Sequence, residues 1–408
     1  MRSIQLVLAG LLSAASLSVS AQSAPASLQT VARTALLNHP SVIGARARQD
    51  VANYSLDAAK GGRFPSLAVG LGNADDGSRL STLSLTQPLW TGGRITGEIT
   101  AGQARVSAAE AGLREAEQQL AEQVVQIAME LARFRTLVAI AVENIAAHER
   151  LLGTTERRTQ SGASAEADLV LARSRMEQAR AMLTQWQAAE QRAAVRLATV
   201  TGETAPTQIA VGSGLLPTTA KAPDVIESAY AFSPTLTRLR AEADAAGGDA
   251  MAAESRLYPQ ISIKAENIDN TRVFAQNDSR VMLMLEYQPG AGLSARDKAR
   301  AAVAQQRVTE ITIDRAKREI AERVSADMVE AQSLLPRIEA LERSVKASEE
   351  LVASYVRQFT AGKRNWLDVL NIQNEYTNGR QALEDTRFAA LSASYRVALA
   401  TGKFFGGS

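Results

Sequence analysis

Leu80-Ser81-Thr82-Leu83-Ser84-Leu85-Thr86-Gln87-Pro88-Leu89-Trp90-Thr91-Gly92-Gly93-Arg94 changes its periodicity part-way along. Leu83 and Leu85 alternate with small polar residues, the period-two pattern of a strand with one apolar face. Pro88 ends that pattern and Thr91-Gly92-Gly93-Arg94 turns the chain. From Ile95 to Arg158 no proline interrupts a run rich in Ala, Glu, Gln and Leu. That predicts one helix over 95–158, on the order of 95 Å long. Upstream, Phe64-Pro65-Ser66-Leu67-Ala68-Val69-Gly70-Leu71-Gly72 puts Leu67, Val69 and Leu71 on one face. Asp75-Asp76-Gly77-Ser78 then separates two alternating runs, which reads as a hairpin over 64–88.

The same plan is written twice. Gly162 and Gly202 stand 40 apart, as do Gly362 and Gly402, and Asp168 and Asp368 each follow a glycine by six. Pro40 and Pro65 recur as Pro234 and Pro259, displaced by 194, and Pro88 recurs as Pro289, displaced by 201. The length change therefore falls in the hairpin, and the repeat is a duplicated structural unit rather than a short solenoid period.

Reading outward, 1–21 is a secretory signal: Arg2, a short apolar run from Ile4 to Leu12, then small residues. A first repeat covers 28–202, with a helix, the hairpin 64–88, and helices over 95–158 and 165–200. Residues 203–222 link it to a second repeat at 223–402, with a helix over 223–256, strands over 260–267 and 281–287, and helices over 295–358 and 366–400. Residues 403–408 form a tail. Pro88, Gly92 and Gly93 make the first strand-to-helix turn, and Pro289, Gly290 and Gly292 the second. The second hairpin loop, about 268–280 with Phe274, is the longer and the expected outward-facing one.

Composition excludes several classes. A net charge of +2 over 408 residues implies no nucleic-acid role. No run approaches 18 apolar residues, so no transmembrane helix is expected. Cysteine is absent, which leaves neither disulfides nor a lipid-anchor thiol. An enzyme lacks its inventory: His39 and His148 are far apart, no phosphate-binding loop occurs, and no metal-ligand spacing or cofactor motif is found. His39, before Pro40, reads as a structural residue at a helix interruption.

Four strands cannot hide their edges or cover both faces alone. Each sets an apolar face against a small or polar one, as a barrel with lipid outside and water inside requires. Phe64, Trp90, Tyr258 and Tyr287 cluster at the helix-proximal strand ends, where an interfacial aromatic belt belongs. A trimer gives twelve strands. In each repeat the two shorter helices together match the long one, so they stack beside it as a rod ending in a helical hairpin. The residues thus read as an internally duplicated chain of long antiparallel helices whose strands close as a homotrimeric twelve-stranded β-barrel.

Gln87 to Arg94, and Thr360-Ala361-Gly362-Lys363-Arg364-Asn365-Trp366-Leu367-Asp368-Val369-Leu370 at the second tip, together with the weaker first tip Ser161-Gly162-(x)5-Asp168, resemble the TolC-like outer membrane efflux protein family over about 28–402. The resemblance implies a homotrimer in the outer membrane of a Gram-negative bacterium, its twelve-stranded β-barrel continuing into a periplasmic α-helical barrel of long antiparallel helices. Such a trimer reaches across the periplasm to an adaptor protein and an inner-membrane pump, and an iris at the helical tips closes it. It implies that Arg364 pairs with Asp168 and that Asp368 forms an acidic ring. The second ring position holds Asn371, and Phe359 stands where the family has a tyrosine. Gly162, Gly362, Lys363 and Arg364 fall where the adaptor docks.

Independently of any family, three copies of Asp368 about an axis bring like charges together and favour cations. A carboxylate in the first turn of a helix also complements the helix dipole, and both readings stand. The second turn, Glu286 to Ser294, and the tip run Arg364 to Asn371 are similar to outer-membrane components of type I secretion systems that export large adhesins with an ABC exporter, which makes a secreted adhesin- or RTX-like protein the favoured cargo. The missing lipid-anchor cysteine points the same way. Small-molecule efflux with a proton-driven pump is the alternative cargo class, and an exported coiled-coil scaffold the alternative outside channels.

Overall fold

The structure, a computed structural model, describes residues 26–73, 79–212, 221–270 and 278–405. The expected signal (1–21), the tip of the first hairpin, most of the second hairpin loop with Phe274, part of the linker and the last three residues lie outside the described residues. In chain order the elements are β1 (Ala26–Ser27), α1 (Leu28–Asn38), α2 (Pro40–Gly61), β2 (Ser66–Asn73), β3 (Arg79–Trp90), α3 (Arg94–Gln160) and α4 (Glu166–Thr201). The linker holds β4 (Ile209–Ala210), and the second repeat follows with α5 (Ala222–Phe232), α6 (Pro234–Glu254), β5 (Gln260–Asn270), β6 (Asp278–Glu286), α7 (Ser294–Thr360) and α8 (Trp366–Ala400).

The two long helices α3 and α7 are 67 residues each, on the order of 100 Å. Toward the sheet, α3 packs on α2 and α6; toward the tip it packs on α4 and α8. Helix α7 lies against α6 and α8. A core of α1, the middle of α3, the ends of α4 and α8, and Phe404 sits between these halves, around the fully buried Leu131, Val124 and Leu197. Two short strands absent from the sequence reading, β1 and β4, pair in parallel there through Ala26↔Ile209 and Ser27↔Ala210.

The helix expected over 223–256 is two helices. Pro234 has no N–H to give and biases Ser233 out of the helical region. Ser233 caps the new helix instead, its hydroxyl accepting from Leu236 N at 3.2 Å. Pro40 does the same in the first repeat, where His39 Nδ1 accepts from Ser41 N at 3.2 Å.

Strands β2, β3, β5 and β6 form one antiparallel sheet in the order β2-β3-β5-β6. The central ladder, β3 with β5, joins the two repeats, and among the described residues β2 and β6 each pair on one side only. Register places Leu67, Leu85, Ala265 and Val281 in one row. Leu67, Val69, Leu71, Leu83, Leu85, Ile263, Val281, Leu283 and Leu285 are all exposed, Leu71 at 82%. On the opposite face Glu266 is held by Lys264 at 3.0 Å and Arg280 at 2.8 Å. Strand period two thus segregates an apolar face from a mixed one, where small and polar residues, Met282 and Met284 stand beside the charged cluster.

Candidate functional site

Two ends of the rod carry the residues singled out by sequence. At the sheet end, Phe64, Trp90, Tyr258 and Tyr287 are each roughly half or more exposed. Trp90 and Tyr258 meet edge to face, with ring centroids 6.4 Å apart. Below them Gly92 adopts φ +62°, and a Cβ there would lie 2.9 Å from Ser255 O, so only glycine lets this turn close on the other repeat. Pro88 lies within β3 at a register irregularity, one residue before the strand's last two. Gly93 caps α3 in the left-handed region. After Pro289, Gly290 and Gly292 are also left-handed.

At the other end the two tips are built alike. Ser161 N, Gly162 N and Ala163 N donate to the carbonyls of Arg157, Thr159 and Arg158. Ala361 N, Gly362 N and Lys363 N donate to those of Arg357, Phe359 and Gln358, an identical set displaced by 200. Gly162 and Gly362 take φ +75° and +70°, as a helix end closed in this way requires. Asn365 caps α8 through its side chain, accepting from Leu367 N at 3.3 Å.

A shared core joins the tips. Trp366 and Phe359, both 2% exposed, meet at a tilt with ring centroids 5.1 Å apart, among Leu151 and Ala172 of the first repeat and Val369 and Leu370 of the second. Arg158 reaches across: Nη1 donates to Phe359 O at 3.1 Å, and the guanidinium lies 4.7 Å over the Phe359 ring. Nη2 donates to Ala163 O at 3.2 Å. Deeper along the tip half, Asn144 of α3 accepts from Thr377 at 2.8 Å and Gln373 at 3.3 Å of α8.

Within one chain Arg364 is held by its own tip. Its guanidinium lies 3.6 Å over the Tyr355 ring, donates to Gln358 Oε1 at 2.9 Å and pairs with Asp368 at 3.4 Å, all within its own tip. Within the chain no ion pair joins it to Asp168, which is half-buried in the first turn of α4. Position explains this: Asp368 is four residues along from Arg364, at the start of the helix that Asn365 caps. Lys363 and Asn371 are exposed.

Arg158, Phe359, Trp366 and Tyr355 were not assigned this bridging role by sequence reasoning. A comparison of the two copies at the displacement of 200 holds the signal. Arg158 corresponds to Gln358 and Ser164 to Arg364. In both tips these two positions bond each other, Arg158 to Ser164 at 3.4 Å and Arg364 to Gln358 at 2.9 Å. At this pair of positions each tip therefore has one arginine, placed on opposite sides of the turn.

His148 on α3 is buried. Burial first, and Arg175 second, hold its pKa below the usual histidine value. The imidazole is neutral in the fold and free to protonate when unfolded, so its contribution is complete above the unfolded value near 6.5 and declines as pH falls below it. Thermal unfolding is expected at a lower temperature at about pH 5.5 than at about pH 7.5, and His148→Gln should remove part of that difference.

A family model described as outer membrane efflux protein matches residues 31–203 and again 225–403, one match per repeat. The chain belongs to the outer membrane efflux protein family. Its members and structural neighbours are outer-membrane channels, not enzymes. Outer membrane efflux protein BepC of Brucella suis biovar 1 (strain 1330) is 22% identical over 326 residues, 79% of this chain and 71% of BepC. The crystal structure of CusC matches with a TM-score of 0.81 at 17% identity, over 92% of this chain and 91% of that one. VceC of Vibrio cholerae matches with 0.79 at 18%, over 93% and 96%. The outer-membrane channel OprN matches with 0.78 at 19%, over 93% and 90%. At these identities the structures speak for the fold: a duplicated helical tunnel joined to barrel strands.

Proposed function

We propose that three copies of this efflux-family chain close a twelve-stranded barrel in the outer membrane, continued by a helical tunnel, as the exit duct of a tripartite export system. The observation carrying this is the four-stranded sheet, with an exposed apolar face, an opposite face that carries the Lys264-Glu266-Arg280 cluster and two edges unpaired among the described residues. Sheet edges left open invite pairing, and a closed barrel removes them. In this reading the residues before β1 carry the export signal, Phe64, Trp90, Tyr258 and Tyr287 sit at the periplasmic boundary of the outer membrane, and no lipid anchor is used. The tips, with Gly162, Gly362, Lys363 and Arg364, receive a periplasmic adaptor. Asp168, Asp368 and Asn371 line the entrance, and any pairing of Arg364 with Asp168 is made between neighbouring chains.

For cargo, the family description and the name of BepC both carry the word efflux, which supports small solutes moved by a proton-driven pump. The tip run Arg364 to Asn371 supports the second reading, a secreted protein delivered by an ABC exporter. Purifying the assembled duct with its inner-membrane partner separates the two: the class of transporter recovered decides. Asp368→Ala is expected to weaken divalent-cation block of the reconstituted channel several-fold, because a ring of three carboxylates concentrates such ions. Unchanged block would remove Asp368 from the entrance.

A further inference from the structure

Both repeats pass from helix to strand through an arginine, an aromatic residue and a proline: Arg63-Phe64-Pro65 and Arg256-Leu257-Tyr258-Pro259. Arg63 lies in the turn after α2, where Phe64 N donates to Gly61 O at 3.0 Å. Arg256 lies in a short 3-10 turn, Ser255–Leu257, that follows α6. The two passages close on the same end of β3. Gln87 Nε2 donates to Arg63 O at 3.0 Å, and the Tyr258 ring meets Trp90 edge to face. Strands β2 and β5 are the two neighbours of β3, so the passages enter strands roughly 10 Å apart. The start of α7 packs against the second passage.

Arg63 and Arg256 are exposed, and among the described residues neither guanidinium has a hydrogen bond or an ion pair. Arg296 and Lys298, at the start of α7, are exposed and unpaired in the same sense. Nearby carboxylates are occupied: Asp57 by Lys60 at 3.0 Å, Glu98 by Arg94 at 3.0 Å, and Asp297 by Arg300 at 3.6 Å. Glu286 follows Leu285 and so falls on the opposite sheet face. Glu254 remains without a cation among the described residues, so free positive charge prevails. Between the two arginines stand the exposed side chains of Leu89, Trp90 and Tyr258, and the exposed apolar face of the strands continues from them.

We propose that this patch holds an anionic phospholipid of the periplasmic leaflet, its phosphate between Arg63 and Arg256 and an acyl chain along the apolar strand face. The proposal rests on the outer-membrane reading above. A guanidinium presents a planar fork of donors that matches two phosphate oxygens. A zwitterionic headgroup carries its own ammonium beside the phosphate, and gains less from a patch of free cations. Free phosphate has no apolar part to set on Leu89 and the strand face. The aromatic rings thus set the depth of the barrel, and the arginine pair selects the lipid that lies against it.

Trp90 reports on the site. The other two tryptophans are Trp186 in α4 and Trp366 in α8. Trp186 stacks on Phe134, which is 40 residues along α3 from Arg94, roughly 60 Å from the sheet. Trp366 is in the tip core, farther still. Bromine on an acyl chain quenches tryptophan only at short range, so quenching reads Trp90. The full-length protein is reconstituted into vesicles holding dibrominated phosphatidylglycerol or, at the same mole fraction, dibrominated phosphatidylcholine. At low salt phosphatidylglycerol is expected to be preferred about fivefold or more. The Arg63→Gln/Arg256→Gln double variant should bring the ratio close to one, and Arg63→Lys/Arg256→Lys should keep most of it. Each variant is read only on its heat-modifiable oligomer, and the ratio in the unsubstituted protein stands without them. Equal quenching by the two lipids in the unsubstituted protein, or an unchanged preference in the Gln variant, overturns the proposal. Inorganic phosphate at matched ionic strength should leave the ratio unaltered; its loss would assign the patch to a free anion and overturn the lipid. No quenching by either lipid puts Trp90 outside the bilayer and overturns the outer-membrane reading first.

Discussion

Gly248→Leu is expected to abolish accumulation of the assembled protein in the outer membrane. The glycine faces backbone on the other helix, with Ala101 N, Ala101 Cα and Gly97 O all within 2.8 Å of where a Cβ would stand. A flexible side chain could yield, but a helix backbone can only move away, and that separates α3 from α6 along the contact that joins the repeats. Overpacking a filled site costs about 1–3 kcal/mol and occasionally more, and here neither surface can give. The neighbouring Gly247→Ala is the control. Its Cβ would meet only the Gln306 amide at 3.6 Å, so assembly should be unchanged. Quantifying the heat-modifiable oligomer for both variants checks the expectation, and normal assembly of Gly248→Leu would mean the two helices can repack.

Arg158→Ala is expected to raise the resting conductance of the reconstituted channel more than Arg364→Ala does. Arg158 ties the first tip to the second through the Phe359 carbonyl and ring. Arg364 braces only its own turn through Gln358, Asp368 and Tyr355. A hydrogen bond from a charged donor contributes about 1.5–3 kcal/mol, so losing the tie shifts a closed-to-open balance by roughly tenfold or more in each chain. Arg158→Lys, which keeps the charge but loses the planar fork, should fall between wild type and Ala. Equal conductance for the two alanine variants would show that the tips are not held by this contact.

The long helices were legible because nothing between Ile95 and Arg158 opposes a helix, and the strands because Leu67, Val69 and Leu71 keep period two against small neighbours. The duplication was legible in glycines and prolines whose backbone roles the structure makes plain, such as Gly162 and Gly362 closing their tips. Pro234 was visible as a repeat marker, yet the break it imposes at Ser233 was passed over. The two-residue strands β1 and β4 have too little sequence to carry a pattern. At the tips, Asp168, Arg364 and Asp368 were found by spacing and resemblance. Partner choice, however, depends on side-chain reach, and reach gives Arg364 to Asp368 and the bridging role to Arg158. That role hides in the sequence because the counterpart of Arg158 is Gln358, a residue with no charge to attract notice.

Reconstituting the purified full-length protein into planar lipid bilayers tests the central claim most directly. An open-edged sheet with an apolar outer face, closed by three copies, predicts discrete, long-lived conductance steps, carried by a heat-modifiable trimer extracted from outer membranes. A protein that fractionates as a soluble periplasmic monomer and gives no steps would contradict the duct and favour an exported helical scaffold.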